Sequence, residues 1–85
     1  MQQFEYTVTD PAGLHARPAG NLVRKVKGFS SRVTLTANGK TCVATQLIAL
    51  MGMKISRGTV VNVSVEGEDE GTCARELQEW FAENL

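Results

Sequence analysis

Alternating apolar and polar residues mark the first predicted strand of this chain. Phe4, Tyr6 and Val8 fall on one side of residues 3–9, and polar residues fall on the other, which predicts a half-buried strand. The same alternation predicts strands over residues 32–37 and 59–65. Asn38-Gly39 is a strong signal for a two-residue hairpin turn, so residues 32–37 should pair with a further strand over residues 40–44.

Apolar residues at helical spacing predict three helices. The first runs from Ala16 to Lys27 and has Gly28 as a natural stop. Its apolar stripe is Ala19, Leu22, Val23 and Val26. Residues 47–53 predict a short helix that is apolar on nearly every side. Residues 70–83 predict a longer helix after Asp69, its predicted N-cap, with one face formed by Cys73, Leu77, Trp80 and Phe81.

The element order β-α-β-β-α-β-α predicts an α+β fold of two layers, an antiparallel sheet covered on one side by helices. A chain of 85 residues has room for one domain, here residues 1–85, and its apolar content of 42% argues against disorder. No apolar run approaches the ~18 residues that span a bilayer, so we expect no membrane insertion. The N-terminal residues lack a signal core, and we therefore expect a cytoplasmic protein.

Charge is distributed unevenly, although the net charge is zero. Residues 11–65 contain no carboxylate, and their cations are Arg17, Arg24, Lys25, Lys27, Arg32, Lys40, Lys54 and Arg57. Seven of the nine carboxylates follow residue 65. This asymmetry indicates an anionic ligand or an acidic partner for the first two-thirds of the chain.

The only histidine stands where a loop is predicted to become a helix, within Asp10-Pro11-Ala12-Gly13-Leu14-His15-Ala16-Arg17-Pro18. If His15 is the N-cap, the N–H groups of Ala16 and Arg17 lack helical partners and Pro18 removes no helical bond. Free N–H groups at a helix start bind phosphate, and Arg17 offers a planar fork of donors. The helix dipole disfavours imidazolium, which leaves His15 nucleophilic. The stretch therefore predicts a histidine that accepts and releases a phosphoryl group.

The residues alone leave three other interpretations open. His15 is compatible with a purely structural helix cap. An independent enzyme is disfavoured because no second histidine and no nucleophile–base pair is evident. Nucleic-acid binding is disfavoured because the pI is about 6.6 and Phe29 is the only aromatic residue among the cations. No cofactor or metal site is predicted, and whether Cys42 and Cys73 pair is left open.

The chain resembles the HPr family, the histidine-containing phosphocarriers of the bacterial sugar phosphotransferase system. The stretch from Gly13 to Pro18, Asn38-Gly39-Lys40 and the run from Gly58 to Glu70 carry the resemblance, which covers essentially all 85 residues. It implies a sheet of order 1-4-2-3 with three helices on one face. It further implies transfer from phosphorylated enzyme I to Nδ1 of His15 and then to an enzyme IIA, with Arg17 stabilising the phosphoryl group. A paralogue serving a nitrogen-regulatory or other non-sugar branch would have the same site chemistry.

The resemblance also implies a partner surface on the first two helices. In this chain it comprises Ala16, Arg17, Gly20, Arg24, Lys27, Leu47, Ile48 and Met51. The chemistry is consistent with this, because Leu47, Ile48, Leu50 and Met51 cannot all face one sheet. A carrier that engages partners in turn is expected to be a monomer.

Two positions depart from the family pattern. Gln46 occupies the place of the regulatory serine that many HPr proteins carry, so serine phosphorylation of that kind is not expected. Gln is a poor N-cap, which favours Thr45 as the cap of the second helix. Lys54 occupies a place where glycine is common, and Gly52 two residues earlier suggests a differently shaped helix end.

Overall fold

Four antiparallel strands form one sheet in the order β1-β4-β2-β3, with the helices packed on one face. The computed structural model describes all residues from Met1 to Leu85. Its elements are β1 (Gln2–Thr7), α1 (Ala16–Lys27), β2 (Arg32–Ala37), β3 (Lys40–Val43), α2 (Leu47–Gly52), β4 (Val60–Glu66) and α3 (Glu70–Asn84). The predicted fold class, element order and strand order are confirmed. No helix is long and apolar enough to cross a membrane.

The core lies between the sheet and the helices. Val61, Val63 and Val65 of β4 are fully buried because they share the face of this central strand that the helices cover, whereas Val60 and Asn62 on the other face are exposed. All four residues of the predicted α1 stripe are buried. Phe81 of α3 is fully buried and meets three aromatic rings edge-on, at centroid distances of 5.5–5.8 Å: Phe4, Tyr6 and Trp80. These apolar faces fix how α1 and α3 lie on the sheet.

The predicted ends of several elements shift by one or two residues. β1 is regular only from Gln2 to Thr7, and Val8, buried beyond its end, donates its N–H to the Thr59 carbonyl at 3.0 Å. β4 ends at Glu66 and α3 at Asn84, each one residue later than predicted. β3 ends at Val43 and α2 at Gly52, each one residue earlier. Gly28 does end α1, but with right-handed backbone (φ −77°).

Of the two predicted N-caps, Asp69 is confirmed and Thr45 is not. Asp69 occupies the N-cap position of α3, but its side chain makes no capping bond. It instead accepts hydrogen bonds from the Ser30 N–H at 2.8 Å and from the Ser31 hydroxyl. The N-cap of α2 is Gln46, again without a side-chain bond, so the prediction that Thr45 caps this helix is wrong. No sequence pattern predicts the contact between the Asp69 carboxylate and the distant α1–β2 loop.

The C-terminal end of α2 is held by the hairpin turn between β2 and β3. The Asn38 side-chain amide donates to the carbonyls of Met53 and Lys54 at 3.0 and 3.2 Å. Lys54 adopts left-handed backbone (φ 54°), and Gly52 is the last helical residue. The expectation that Gly52 reshapes this helix end is therefore wrong. The left-handed residue after the helix is Lys54, at the place where glycine is common, and the Asn38 side chain bonds to its carbonyl.

Candidate functional site

His15 is the N-cap of α1, as the sequence predicts. Its backbone is extended (φ −95°, ψ −172°), and its carbonyl accepts the first helical hydrogen bond, from the Ala19 N–H at 2.9 Å. Its side chain forms no capping bond, and the residue is exposed to solvent. The imidazole is therefore available for chemistry instead of being used to cap the helix.

Two backbone donors stand beside the imidazole without partners. The N–H groups of Ala16 and Arg17 donate to no acceptor of the protein, and the next residue, Pro18, has no N–H. No acidic residue occupies the first turn of α1. Because the helix dipole adds positive potential at this end, the position favours an anion such as a phosphate group.

The loop before His15 is fixed against the segment that follows α2. The Leu14 N–H donates to the Ile55 carbonyl at 2.9 Å. Gly13 is buried with positive φ (64°), and a Cβ there would lie 2.8 Å from the Cα of Ser56. Only glycine fits this close backbone approach, which sets the position of His15 relative to residues 55–58.

The sequence interpretation did not predict that residues 55–58 lie next to the loop that carries His15. The segment is held from both sides, since the Gly58 N–H also donates to the Val8 carbonyl at 2.8 Å. Such contacts join residues more than forty positions apart and leave no local pattern. Gly13 was the one available signal, because a glycine before a functional residue often marks close backbone packing.

Arg17 is exposed and forms no ion pair or side-chain hydrogen bond. Its guanidinium is not engaged by any carboxylate of the chain, so its donors can serve an incoming anion. The structure thus brings together the three residues that the sequence predicts for the phosphoryl site: His15, Ala16 and Arg17.

The predicted partner surface is accessible on the packed pair α1 and α2. Leu47, Ile48 and Met51 are 39%, 86% and 44% exposed, whereas Leu50 is fully buried. As predicted, these four side chains do not all face the sheet. On α1, Arg24 and Lys27 are exposed, and Gly20 is half-buried. An apolar patch bordered by cations is the composition expected of a protein-binding surface.

Neither cysteine competes with His15 as a nucleophile. Both Cys42 and Cys73 are free thiols. Burial raises the pKa of the Cys73 thiol to about 11, and burial also raises the pKa of Cys42. Both side chains are therefore protonated at neutral pH. No group of three or more His, Cys, Asp or Glu side chains is placed to hold a metal ion.

Comparison with known proteins finds relatives over nearly the whole length of the chain. Residues 2–83 match the family model described as "PTS HPr component phosphorylation site". The phosphocarrier protein HPr of Xylella fastidiosa (strain Temecula1) is 40% identical over 81 residues, which is 95% of this chain and 91% of that protein. The crystal structure of an HPr from Thermoanaerobacter tengcongensis superposes with a TM-score of 0.90 at 30% identity, covering 96% of this chain and 92% of that one. A crystal structure titled as an HPr dimer, from the same organism, has a TM-score of 0.71 at 32% identity, covering 93% and 91%.

Proposed function

The chain belongs to the HPr family of phosphotransferase-system phosphocarriers, and we propose that it receives a phosphoryl group from phosphorylated enzyme I on Nδ1 of His15. The group then passes to an enzyme IIA of a sugar permease. The observation that carries the proposal is an exposed imidazole beside the unpartnered N–H groups of Ala16 and Arg17.

Each transfer exchanges one bond to phosphorus for another. The Nδ1 lone pair attacks the phosphorus as the bond to the donor breaks, and the new N–P bond breaks when an acceptor on the next partner attacks. Because phosphoryl transfer depends mainly on positioning and electrostatic stabilisation, the chain's contribution is to hold the oxygens. The two N–H groups and the Arg17 guanidinium supply the donors. The protein is a carrier in this scheme, and its partners complete the catalytic site.

Partner binding is assigned to the exposed face of α1 and α2. The surface consists of Ala16, Arg17, Gly20, Arg24, Lys27, Leu47, Ile48 and Met51. Its cations suit acidic surfaces on enzyme I and on the enzyme IIA, and Ile48 supplies an apolar anchor. Since the same face must bind two partners in turn, the working form in this scheme is a cytoplasmic monomer. A non-sugar branch of the system would use identical chemistry and differ only in the partners.

The test is phosphorylation by enzyme I and phosphoenolpyruvate, followed by intact-mass measurement. We expect one acid-labile phosphoryl group on the wild-type protein and none on His15→Ala. Arg17→Gly should slow uptake without unfolding the domain, because its guanidinium has no partner within the chain and glycine in a helix costs at most about 1 kcal/mol. No uptake by the wild type, or equal uptake by His15→Ala, would contradict the proposal.

A second phosphorylation of the usual regulatory kind is not expected. Gln46 is the N-cap of α2 and has no hydroxyl. Incubation with an HPr kinase and ATP should therefore leave no acid-stable phosphate, and stable phosphate on Thr45 would overturn this expectation.

A further inference from the structure

We propose that Arg57 provides a second guanidinium that contacts the phosphoryl group on His15. The inference rests on the proposed phosphocarrier function and adds to it a residue from outside α1. It follows from the place of Arg57 in the fold, from its lack of partners and from the charge that the site must balance.

Backbone contacts hold Arg57 next to the loop that carries His15. Its neighbour Ser56 lies against Gly13, and its other neighbour, Gly58, donates to the Val8 carbonyl at 2.8 Å. The Leu14 N–H to Ile55 carbonyl bond of 2.9 Å closes the same junction from the side of the histidine. Arg57 therefore belongs to a segment clamped at both ends, one peptide away from a direct backbone contact with the active-site loop.

The Arg57 side chain is not used elsewhere. The residue is exposed, and it forms no ion pair and no side-chain hydrogen bond. The one carboxylate in the adjoining loop, Asp10, already accepts the Ala12 N–H at 2.8 Å. A long, flexible cation without a partner is free to turn towards an anion that appears nearby.

A second guanidinium would balance the negative charge of the phosphoryl group. A phosphoryl group carries about two negative charges near neutral pH. Arg17 supplies one positive charge, and the start of α1 adds roughly half a charge. No other cation precedes Arg17 in the chain, and residues 11–65 contain no carboxylate that would neutralise Arg57. A planar fork of donors from Arg57, on a segment outside α1, completes the neutralisation.

The direct test is the NMR signal of the arginine side-chain Nε–H groups in ¹⁵N-labelled full-length protein. Spectra are recorded before and after phosphorylation with enzyme I and phosphoenolpyruvate, and Arg57→Gln assigns the signal. We expect the Arg57 and Arg17 signals to shift on phosphorylation. The Arg32 signal should stay in place, because Arg32 pairs opposite Glu66 at the end of β4 that is remote from residues 55–58.

Kinetics provide the second readout. Arg57→Gln should lower kcat/KM for transfer from enzyme I about three- to tenfold, as expected for losing one exposed charge-assisted contact. Arg57→Lys should be intermediate, and Arg32→Gln should match the wild type. An Arg57 signal that does not move on phosphorylation, or an unchanged kcat/KM in Arg57→Gln, overturns the proposal. Failure of the wild-type protein to take up phosphate on His15 would instead refute the phosphocarrier function itself.

Discussion

Asn38 and Lys54 are the only two non-glycine residues with positive φ, and a hydrogen bond joins them. Their φ angles are 53° and 54°, and the Asn38 side-chain amide donates to the Lys54 carbonyl at 3.2 Å. Asn38 is suited to the left-handed region, whereas lysine gains nothing from it. The contact links the β2–β3 turn to the end of α2. It therefore helps to set the orientation of the exposed face that carries Ile48.

Replacing Lys54 with glycine should stabilise the protein. Left-handed backbone costs an ordinary residue about 1–2 kcal/mol, and the greater freedom of glycine in the unfolded chain offsets about 0.4–1 kcal/mol of the gain. We expect the free energy of unfolding of Lys54→Gly to rise by about 0.5–1 kcal/mol in denaturant titrations. Lys54→Ala is the control, because it keeps the strain and should match the wild type. A Lys54→Gly variant less stable than Lys54→Ala would contradict this account.

The Ser31–Asp69 hydrogen bond should make stability depend on pH. The Ser31 hydroxyl, and secondarily the Ser30 N–H, hold the pKa of Asp69 below its usual range. A lowered folded-state pKa adds stability above the ordinary aspartate value of about 4, and that stability is lost as pH falls through the lowered value.

We therefore expect Asp69→Ala to melt below the wild type at pH 7, and the difference to shrink steadily below pH ~4. Differential scanning calorimetry across this range is the measurement. Ser31→Ala should reproduce part of the neutral-pH loss, since it removes the Ser31 bond and leaves the bond from the Ser30 N–H. A deficit of equal size at pH 7 and at pH 2 would show that the carboxylate charge is not involved.

Gly13 should be essential for both folding and phosphotransfer. Gly13→Ala has to accommodate positive φ and a Cβ pressed against the backbone at Ser56, so we expect a loss of about 2–4 kcal/mol. Gly39→Ala is the matched control, because Gly39 has similar φ (75°) but open space around its Cβ position. It should lose only about 1–2 kcal/mol and transfer phosphate at the wild-type rate. Equal losses in the two variants would remove the argument for close packing at Gly13.

The sequence predicts the fold well because its signals are local and mutually consistent. The Ala16–Lys27 stripe, the Asn38-Gly39 turn and the alternation along β4 each predict one element, and a sheet covered on one side by helices buries their apolar faces. The strand order 1-4-2-3 was predicted from the family resemblance, because no pattern in neighbouring residues indicates that β1 pairs with β4. The place of His15, Ala16 and Arg17 at a helix start was predictable for the same reason as α1, because a helix start is visible in consecutive residues.

Long-range polar contacts could not be predicted from the sequence. The Asp69 carboxylate makes no capping bond to its own helix and instead accepts from the Ser30 N–H and the Ser31 hydroxyl. Lys54 is forced into left-handed backbone by a turn fifteen residues earlier in the chain. Arg57 reaches the neighbourhood of His15 only through backbone contacts between loops. In each case the folded structure brings the two partners together, so no pattern in neighbouring residues predicts the contact.

Ile48 should contribute to partner binding and not to stability. Its side chain is 86% exposed, so Ile48→Ser should change the free energy of unfolding by less than about 0.5 kcal/mol. The same variant should raise KM for transfer from enzyme I about tenfold, because a central apolar anchor is lost. Leu50→Ala, at a fully buried position of the same helix, should lose about 2–5 kcal/mol of stability. An unchanged KM in Ile48→Ser would place the docking surface elsewhere.

The free N–H of Ala16 should be removable without loss of the helix. Ala16 is the first helical residue, where proline fits well, and the extended backbone of His15 suits a residue that precedes proline. Ala16→Pro should therefore keep the wild-type thermal midpoint while removing one of the two donors for the phosphoryl oxygens. By analogy with the loss of a single oxyanion donor, we expect the rate of phosphotransfer to fall about 10²-fold. Ala16→Ser adds bulk but keeps the N–H, and it should transfer close to the wild-type rate. If Ala16→Pro folds and transfers normally, the Ala16 N–H does not hold the phosphoryl group, and the Arg17 N–H and guanidinium would have to bind it without that donor.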